Sequence, residues 1–262
     1  MSIDSRLRHL STLPTDPRTL YDQTATHWAR HLPSSLSDYT ARPQVMALCE
    51  PVAGKHVLDL GCGEGYCSRM LRQRGAQPVL GLDVSERMIE LARQAERAQP
   101  LGIQYATADA VTVDLGDASV DLVVAVFLFN YLSVEQTRQT MANVHRMLRP
   151  GGHFVFAVPH PAFAFMRKAA PPFYFDIGSA GYFSARDTLF PGRIWKREGS
   201  ALDVQLVHKT LEDYFEGLRE AGFIAMPSVA ELKVTRDMVD MDEDFFGPLF
   251  DFPLHMAVKV AR

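Results

Sequence analysis

Nine consecutive residues, Val57-Leu58-Asp59-Leu60-Gly61-Cys62-Gly63-Glu64-Gly65, bring together two carboxylates and three glycines. The apolar residues before Gly61 read as a strand and the residues after Gly65 as a helix, so the glycines occupy a strand-to-helix turn. Glycine allows the tight bend and lets a ligand lie against backbone N–H groups near a helix N-terminus. Asp83 follows Gly61 by 22 residues and ends the next strand, where a carboxylate can take the hydroxyls of a ribose. Two adenosine-bearing ligands could use this geometry. A dinucleotide fingerprint wants G-x-G-x-x-G, but here the third glycine comes one residue early and Tyr66 stands in its place. Asp59 and Glu64 would repel a pyrophosphate, whereas Asp59 suits a cationic amino group. The pattern favours a ribose-bearing ligand with a positive end, S-adenosylmethionine, with a nicotinamide cofactor and an oxidoreductase as the rival reading.

These side chains need a scaffold, and the chain around them supplies its rhythm. Strands are expected at 56–60, 78–83, 103–106, 121–129 and 153–158. Between them fall a helix at 65–74 ended by Gly75, a helix at 85–97 capped by Ser85, and a helix opened by the capping box Ser133 to Gln136 and stopped at Pro150-Gly151-Gly152. Strands separated by helices of this length make βαβ units and a parallel sheet covered on both faces, a doubly wound, Rossmann-like α/β fold. Helices are expected at 17–32 and 43–50. After Pro159 the periodicity fades until Thr210 caps a helix ending at Ala221-Gly222, and strands at 224–234 and 254–261 flank the acidic stretch 237–244. One domain is expected over 1–262, divided into an N-terminal helical cover (1–55), a cofactor-binding core (56–158), an insert (159–209) and a C-terminal helix and strand pair (210–262).

The 262 residues carry 27 basic and 31 acidic side chains, a net charge of −4, which lacks the basic field of a general nucleic-acid binder. Apolar residues make up 47%, enough for a sizeable core. The three cysteines, Cys49, Cys62 and Cys67, form neither a disulfide framework nor a metal-ligand pattern. The N-terminal residues have no apolar signal region, and the longest apolar run, 122–129, is far too short to span a bilayer. A cytoplasmic protein without membrane or metal is the expectation, and no oligomeric state is specified.

VLDLGCGEG resembles the signature loop of the class I S-adenosylmethionine-dependent methyltransferases, and GLDVSERMIELAR, ATADA, DLVVAVFLFNYL and MLRPGGHFVF follow in that family's order. The resemblance runs over about residues 20–160. Upstream, YDQTATHWARHL and YTARP resemble the cover helix and its sequel in the small-molecule, type 11-like branch. It implies a seven-stranded sheet, mostly parallel with an antiparallel last strand. It also implies that Asp59 and the backbone of Gly61, Cys62 and Gly63 face the methionine moiety, that Asp83 binds the ribose and that Met88 packs near the adenine. Asp109 would accept from the adenine amino group with Ala110 beside it, Phe127 would lie near the methyl donor, and Tyr21 and Arg42 would meet the cofactor carboxylate. Where that branch commonly has His, this chain has Asn130.

Methyl transfer from a sulfonium is an in-line displacement served chiefly by positioning and desolvation. An oxygen or carbon nucleophile can also need a base, for which His160, at the end of the fifth strand, and then His208 are the candidates. Residues 163–195 hold nine aromatics, among them Phe163, Tyr174, Tyr182 and Trp195. They read either as a satellite core or as a lid over an apolar acceptor, and the two readings are compatible. The expected reaction is methyl transfer to N, O or C of a small molecule, with RNA or protein as the alternative acceptor and a non-catalytic cofactor-binding protein as a further rival.

Overall fold

The computed structural model describes residues 16–30 and 32–262, so the first fifteen residues of the expected cover, and residue 31 of the expected 17–32 helix, lie outside the described residues. The described chain opens with α1 (Pro17–Trp28), capped by Asp16, whose carboxylate accepts from the Arg18 and Thr19 N–H groups. α2 (Leu36–Thr40) and α3 (Arg42–Cys49) follow. Next come β1 (Val57–Leu60), α4 (Tyr66–Gln73), β2 (Val79–Asp83), α5 (Glu86–Ala98), β3 (Gln104–Thr107), β4 (Val120–Val126), α6 (Val134–Met147) and β5 (Leu148–Pro159). The insert holds α7 (Phe163–Met166), β6 (Phe173–Phe175), β7 (Leu189–Trp195) and β8 (Ala201–Val207). α8 (Leu211–Glu220), β9 (Ser228–Leu232), α9 (Arg236–Met241), α10 (Glu243–Phe246) and β10 (His255–Ala261) complete it.

Local chemistry sets several of these boundaries. Ser85 accepts from the Met88 N–H, and Ser133 with Gln136 and Thr210 with Asp213 form reciprocal capping boxes. α6 stops at Met147 and β5 starts at Leu148, so Pro150-Gly151-Gly152 lies inside the strand. Proline pushes the residue before it out of the helical region, which moves the boundary ahead of the expected stop. The strand expected at 224–234 narrows to β9, preceded by the exposed Ile224 and Met226. The acidic stretch forms α9 and α10, capped by Thr235 and Asp242.

Seven strands pair in the order β3-β2-β1-β4-β5-β10-β9. β1 through β5 run parallel, and β10 is antiparallel to both neighbours, from His255 opposite Pro159 to Ala261 opposite His153. This is the doubly wound sheet with an antiparallel last strand. Its order reverses between β1 and β4, which places the ligand crevice at their C-terminal ends. Met46, Leu71, Ile89, Val124 and Val155 fill one face of the sheet. Leu58, Phe129, Met141, Phe154, Phe156 and Tyr214 fill the other.

Residues 159–209 are more regular than their sequence. β6, β7 and β8 form a separate antiparallel sheet, and β7 alternates between buried and partly exposed positions along its length. A Cβ at Gly192 would collide with the Phe175 ring and the Tyr174 carbonyl, so only glycine allows this close approach of β6 and β7. The inner face of this small sheet joins Leu36, Phe246, Leu249 and Leu254 in a third apolar cluster. Among the described residues no helix is long and apolar enough to cross a membrane.

Phe129, in the 3₁₀ turn directly after β4, is fully buried with its ring 6.0 Å from Phe154 and 5.3 Å from Phe156. It anchors the segment that carries Asn130 and Tyr131. Phe129→Ala is expected to destabilise the fold by about 3–5 kcal/mol, read as a lower urea midpoint without a change in slope.

Candidate active site

The glycine loop is tied to the end of β2. The Gly61 and Cys62 N–H groups both donate to the Leu82 carbonyl, at 2.8 and 2.9 Å. The Gly63 N–H donates to the Asp83 carboxylate at 2.8 Å, and the Gly65 N–H to the Cys62 carbonyl at 3.0 Å. The backbone donors expected to meet a ligand are therefore engaged within the fold, three of them by the end of β2. A pyrophosphate would find these four donors spent and three carboxylates, Asp59, Glu64 and Asp83, on the cavity wall. The site is built for a ligand that donates hydrogen bonds and carries positive charge.

Asp59 is 1% exposed and accepts from the Ser68 hydroxyl at 2.5 Å. Burial pushes its carboxyl up to about 6, against the lowering effect of the Ser68 hydrogen bond, and Asp83 nearby raises it further. Burial also raises the Asp83 carboxyl, opposed by hydrogen bonds from the Ser85 and Gly63 N–H groups at 2.9 and 2.8 Å. These two acids face a cavity of about 440 Å³. Met88 lines the same side, as do Asp109, which accepts from the Val111 N–H, and Ala110.

At the far end of β4, Phe127 adopts a φ of 59°, a left-handed conformation rare outside glycine and asparagine. Its N–H donates to the Ala157 carbonyl at 2.8 Å, which fixes the ring against the cavity. The Arg42 guanidinium lies 5.5 Å from that ring. Arg42 donates to Ser37 and Asp38, and its Nε is buried without a partner among the described residues. Arg30 bridges Asp38 at 3.2 Å and Glu64 at 3.1 Å. α1 covers the opening: the Tyr21 hydroxyl donates to the Tyr131 hydroxyl at 2.5 Å, and the Ser85 hydroxyl donates to Asp22 at 2.5 Å.

Every residue expected at the cofactor lines this one cavity: Tyr21, Arg42, Asp59, Gly61, Cys62, Gly63, Asp83, Met88, Asp109, Ala110 and Phe127. The residues expected at the acceptor do not. Tyr174 and Trp195 pair with each other, their rings 5.9 Å apart, while their strand neighbours Phe173, Phe175 and Ile194 line the cavity. Alternation along a strand sends adjacent side chains to opposite faces, and the expected pair sits on the wrong one. Phe163 stacks behind Phe173 at 4.8 Å, and the Tyr182 hydroxyl accepts from the Leu211 N–H at the start of α8.

Neither expected base reaches the cavity. The Ala162 N–H donates to His160 Nδ1, which leaves Nε2 to donate to Glu231 at 3.1 Å, and burial lowers the ring's pKa. His208 Nε2 donates to the Tyr182 carbonyl at 2.9 Å, with the ring packed against Phe165 and Tyr182. Both rings are held by hydrogen bonds within the fold. The histidine that does line the cavity is His255, the first residue of β10. A histidine opening a mostly apolar strand was its only signal in the sequence. Asn130 lines the cavity as well.

A family model described as a methyltransferase domain matches residues 57–152. The structure superposes, with a TM-score of 0.64, on an S-adenosylmethionine-dependent methyltransferase from Mesorhizobium loti that is 28% identical, covering 84% of this chain and 96% of that one. Residues 57–152 carry a methyltransferase domain. Among curated proteins, a malonyl-[acyl-carrier protein] O-methyltransferase of Serratia marcescens is 36% identical over 104 residues, covering 40% of this chain and 38% of that protein. A ubiquinone biosynthesis O-methyltransferase of Coxiella burnetii is 33% identical over 104 residues, covering 40% of this chain and 43% of that protein. The chain spans about half or less of the length of the curated relatives it matches. S-adenosylmethionine fits this cavity on its own chemistry: the Asp59 and Asp83 carboxylates offer acceptors of the kind a ribose and an ammonium need, and the buried Arg42 Nε, without a partner among the described residues, offers a donor of the kind a carboxylate needs.

A carboxyl raised on folding leaves the folded state favouring its protonated form, so its penalty appears as pH rises through about 6. Asp59→Asn, which can still accept from Ser68, is expected to stabilise the ligand-free protein near pH 7.5 by about 2–3 kcal/mol. The gain should vanish near pH 4 in denaturant titrations. Equal gains at both pH values would show that the Asp59 charge carries no such penalty.

Proposed function

We propose that this chain transfers methyl groups from S-adenosylmethionine to a small-molecule acceptor. One observation carries the reading. The acidic end of the cavity, with Asp59, Asp83 and Asp109, runs past Phe127 into an apolar end walled by Phe173, Phe175, Ile194 and Val204. Asp83 takes the ribose hydroxyls, Met88 and Ala110 pack the adenine, and Asp109 accepts from its amino group. Asp59 holds the amino group of the methionine moiety, and Arg42 with Tyr21 holds its carboxylate. When bound, the cofactor supplies a methyl group on a positively charged sulfur.

The rest is the work of the chain. α1 and the insert sheet enclose the cavity, which excludes water from the nucleophile. The 159–209 insert is at once a satellite core and an acceptor wall, because alternate residues of β6 and β7 face opposite ways. The enclosure supports a small acceptor, and the names of the O-methyltransferase relatives support methyl transfer itself.

Isothermal titration of S-adenosylhomocysteine tests the reading. Asp83→Ala is expected to weaken binding at least tenfold, about 1.4 kcal/mol for the loss of charge-assisted hydrogen bonds. A wild-type protein that does not bind this ligand would overturn the proposal.

A further inference from the structure

Building on the methyltransferase reading, we propose that Asp59 couples cofactor binding to the release of one proton, so that acidification drives the methyl donor from its site. The fold supports the buried carboxylates around the acidic end of the cavity unequally. Asp38 accepts from the Ser34 N–H at 3.0 Å, the Ser35 N–H at 2.9 Å and the Ser35 hydroxyl at 3.0 Å, and it bridges Arg42 at 2.9 Å and Arg30 at 3.2 Å. Glu64 bridges Arg69 at 2.8 Å and Arg30 at 3.1 Å. Asp83 accepts from two backbone N–H groups, those of Gly63 and Ser85. Asp59, on the central strand β1, accepts from the Ser68 hydroxyl alone and forms no ion pair among the described residues. A carboxylate shut away from water with one neutral donor is the least supported anion of the four. It sheds that cost by holding a proton, and its second oxygen still accepts from Ser68.

The groups that face Asp59 come from each element packed around it. Ser68 and Cys67 approach from α4, Arg42 and Cys49 from α3, Cys62 and Glu64 from the glycine loop, Asp83 from the end of β2 and Tyr105 from β3. Arg42 is the cation in this set, and Asp38 already matches its charge. Asp83 and Glu64 add negative charge of their own. Burial holds the thiols of Cys49 and Cys67 up at about 12 and raises those of Cys62 and Tyr105's phenol as well, so these groups stay neutral. Burial first, with Asp83 and Glu64 behind it and with Ser68 and Arg42 opposing, places the Asp59 carboxyl at about 6.

The amino group of the methyl donor arrives as an ammonium, and an ammonium pairs with the ionised carboxylate. On binding, the O–H bond of the Asp59 carboxyl breaks and its proton leaves to solvent, while the ammonium keeps all of its own protons. Between about pH 5 and pH 7 the ligand's amino group stays protonated and its carboxylate stays ionised, so the exchanged proton is that of Asp59. A carboxyl that is raised in the ligand-free protein and lowered in the complex costs affinity as pH falls through about 6. Near pH 7 Asp59 is already ionised, and binding then moves almost no proton.

Two ligands separate Asp59 from its neighbour Asp83. S-adenosylhomocysteine carries both ribose and ammonium, whereas 5′-methylthioadenosine carries the ribose and a thioether without the amino-acid moiety. By isothermal titration, S-adenosylhomocysteine is expected to bind wild-type protein about tenfold more weakly near pH 5 than near pH 7. Near pH 5, buffers of different ionisation enthalpy should report close to one proton released per ligand bound. The affinity of 5′-methylthioadenosine should change less than about twofold over the same interval, because nothing on it pairs with Asp59. Asp59→Asn should bind S-adenosylhomocysteine equally well at both pH values and release no proton. An unchanged wild-type affinity for S-adenosylhomocysteine, a loss that 5′-methylthioadenosine shares in full, or a loss that survives Asp59→Asn would each overturn the proposal. Failure of S-adenosylhomocysteine to bind the wild type near pH 7 would instead overturn the methyltransferase reading beneath it.

Discussion

Two N–H groups donating to one carbonyl, those of Gly61 and Cys62 to Leu82, hold the glycine loop on the end of β2, and the rest of the site depends on that tie. It sets the spacing between Asp59, inside β1, and Asp83, which ends β2. It also brings the Gly63 N–H onto Asp83, so that carboxylate is oriented by the fold itself. Because the loop's donors are consumed by the fold, its outward face is acidic rather than anion-binding. A strand–glycine–helix turn can serve a phosphate or a sulfonium, and here the hydrogen bonds within the turn separate the two.

Charge and greasiness are then arranged along one axis. At one end, Asp38, Glu64, Arg30 and Arg42 form a partly buried network in which the charges are mutually satisfied apart from guanidinium Nε atoms. At the other, β6, β7 and β8 present an apolar wall that could not be stable as an isolated small sheet. It is stabilised by sharing its inner face with Leu36 and the segment that carries Phe246 and Leu249. Cavity wall and satellite core are thus the same packed layer, and altering one alters the other.

Much of this was legible in the sequence because it is local. The strand, the glycine turn and the carboxylate of the next strand follow one another within 57–83, and the boxes at Ser133 and Thr210 are complete within four residues. What was not legible is parity and distance. Phe173, Tyr174 and Phe175 are all aromatic, so period-two alternation offers no contrast by which to tell the wall from the outside. The sequence points to His160, at the right end of the sheet, as a base. The antiparallel pairing sets His255 opposite Pro159, beside it, and only long-range register shows that the residue entering the cavity comes from β10. The engaged donors of the loop were equally hidden, since their partner, Leu82, belongs to another strand.

Phe127 shows what such a site demands of the chain. Its left-handed backbone would suit glycine or asparagine better, and a large side chain there stores about 1–3 kcal/mol of conformational strain. The residue type at 127 is therefore set by what its ring touches, Arg42 on one side and His255 on the other, and not by the turn it occupies. A library of variants sorted only for heat resistance would be drawn toward replacing it, and would improve the scaffold while dismantling the junction between the acidic and apolar ends of the cavity.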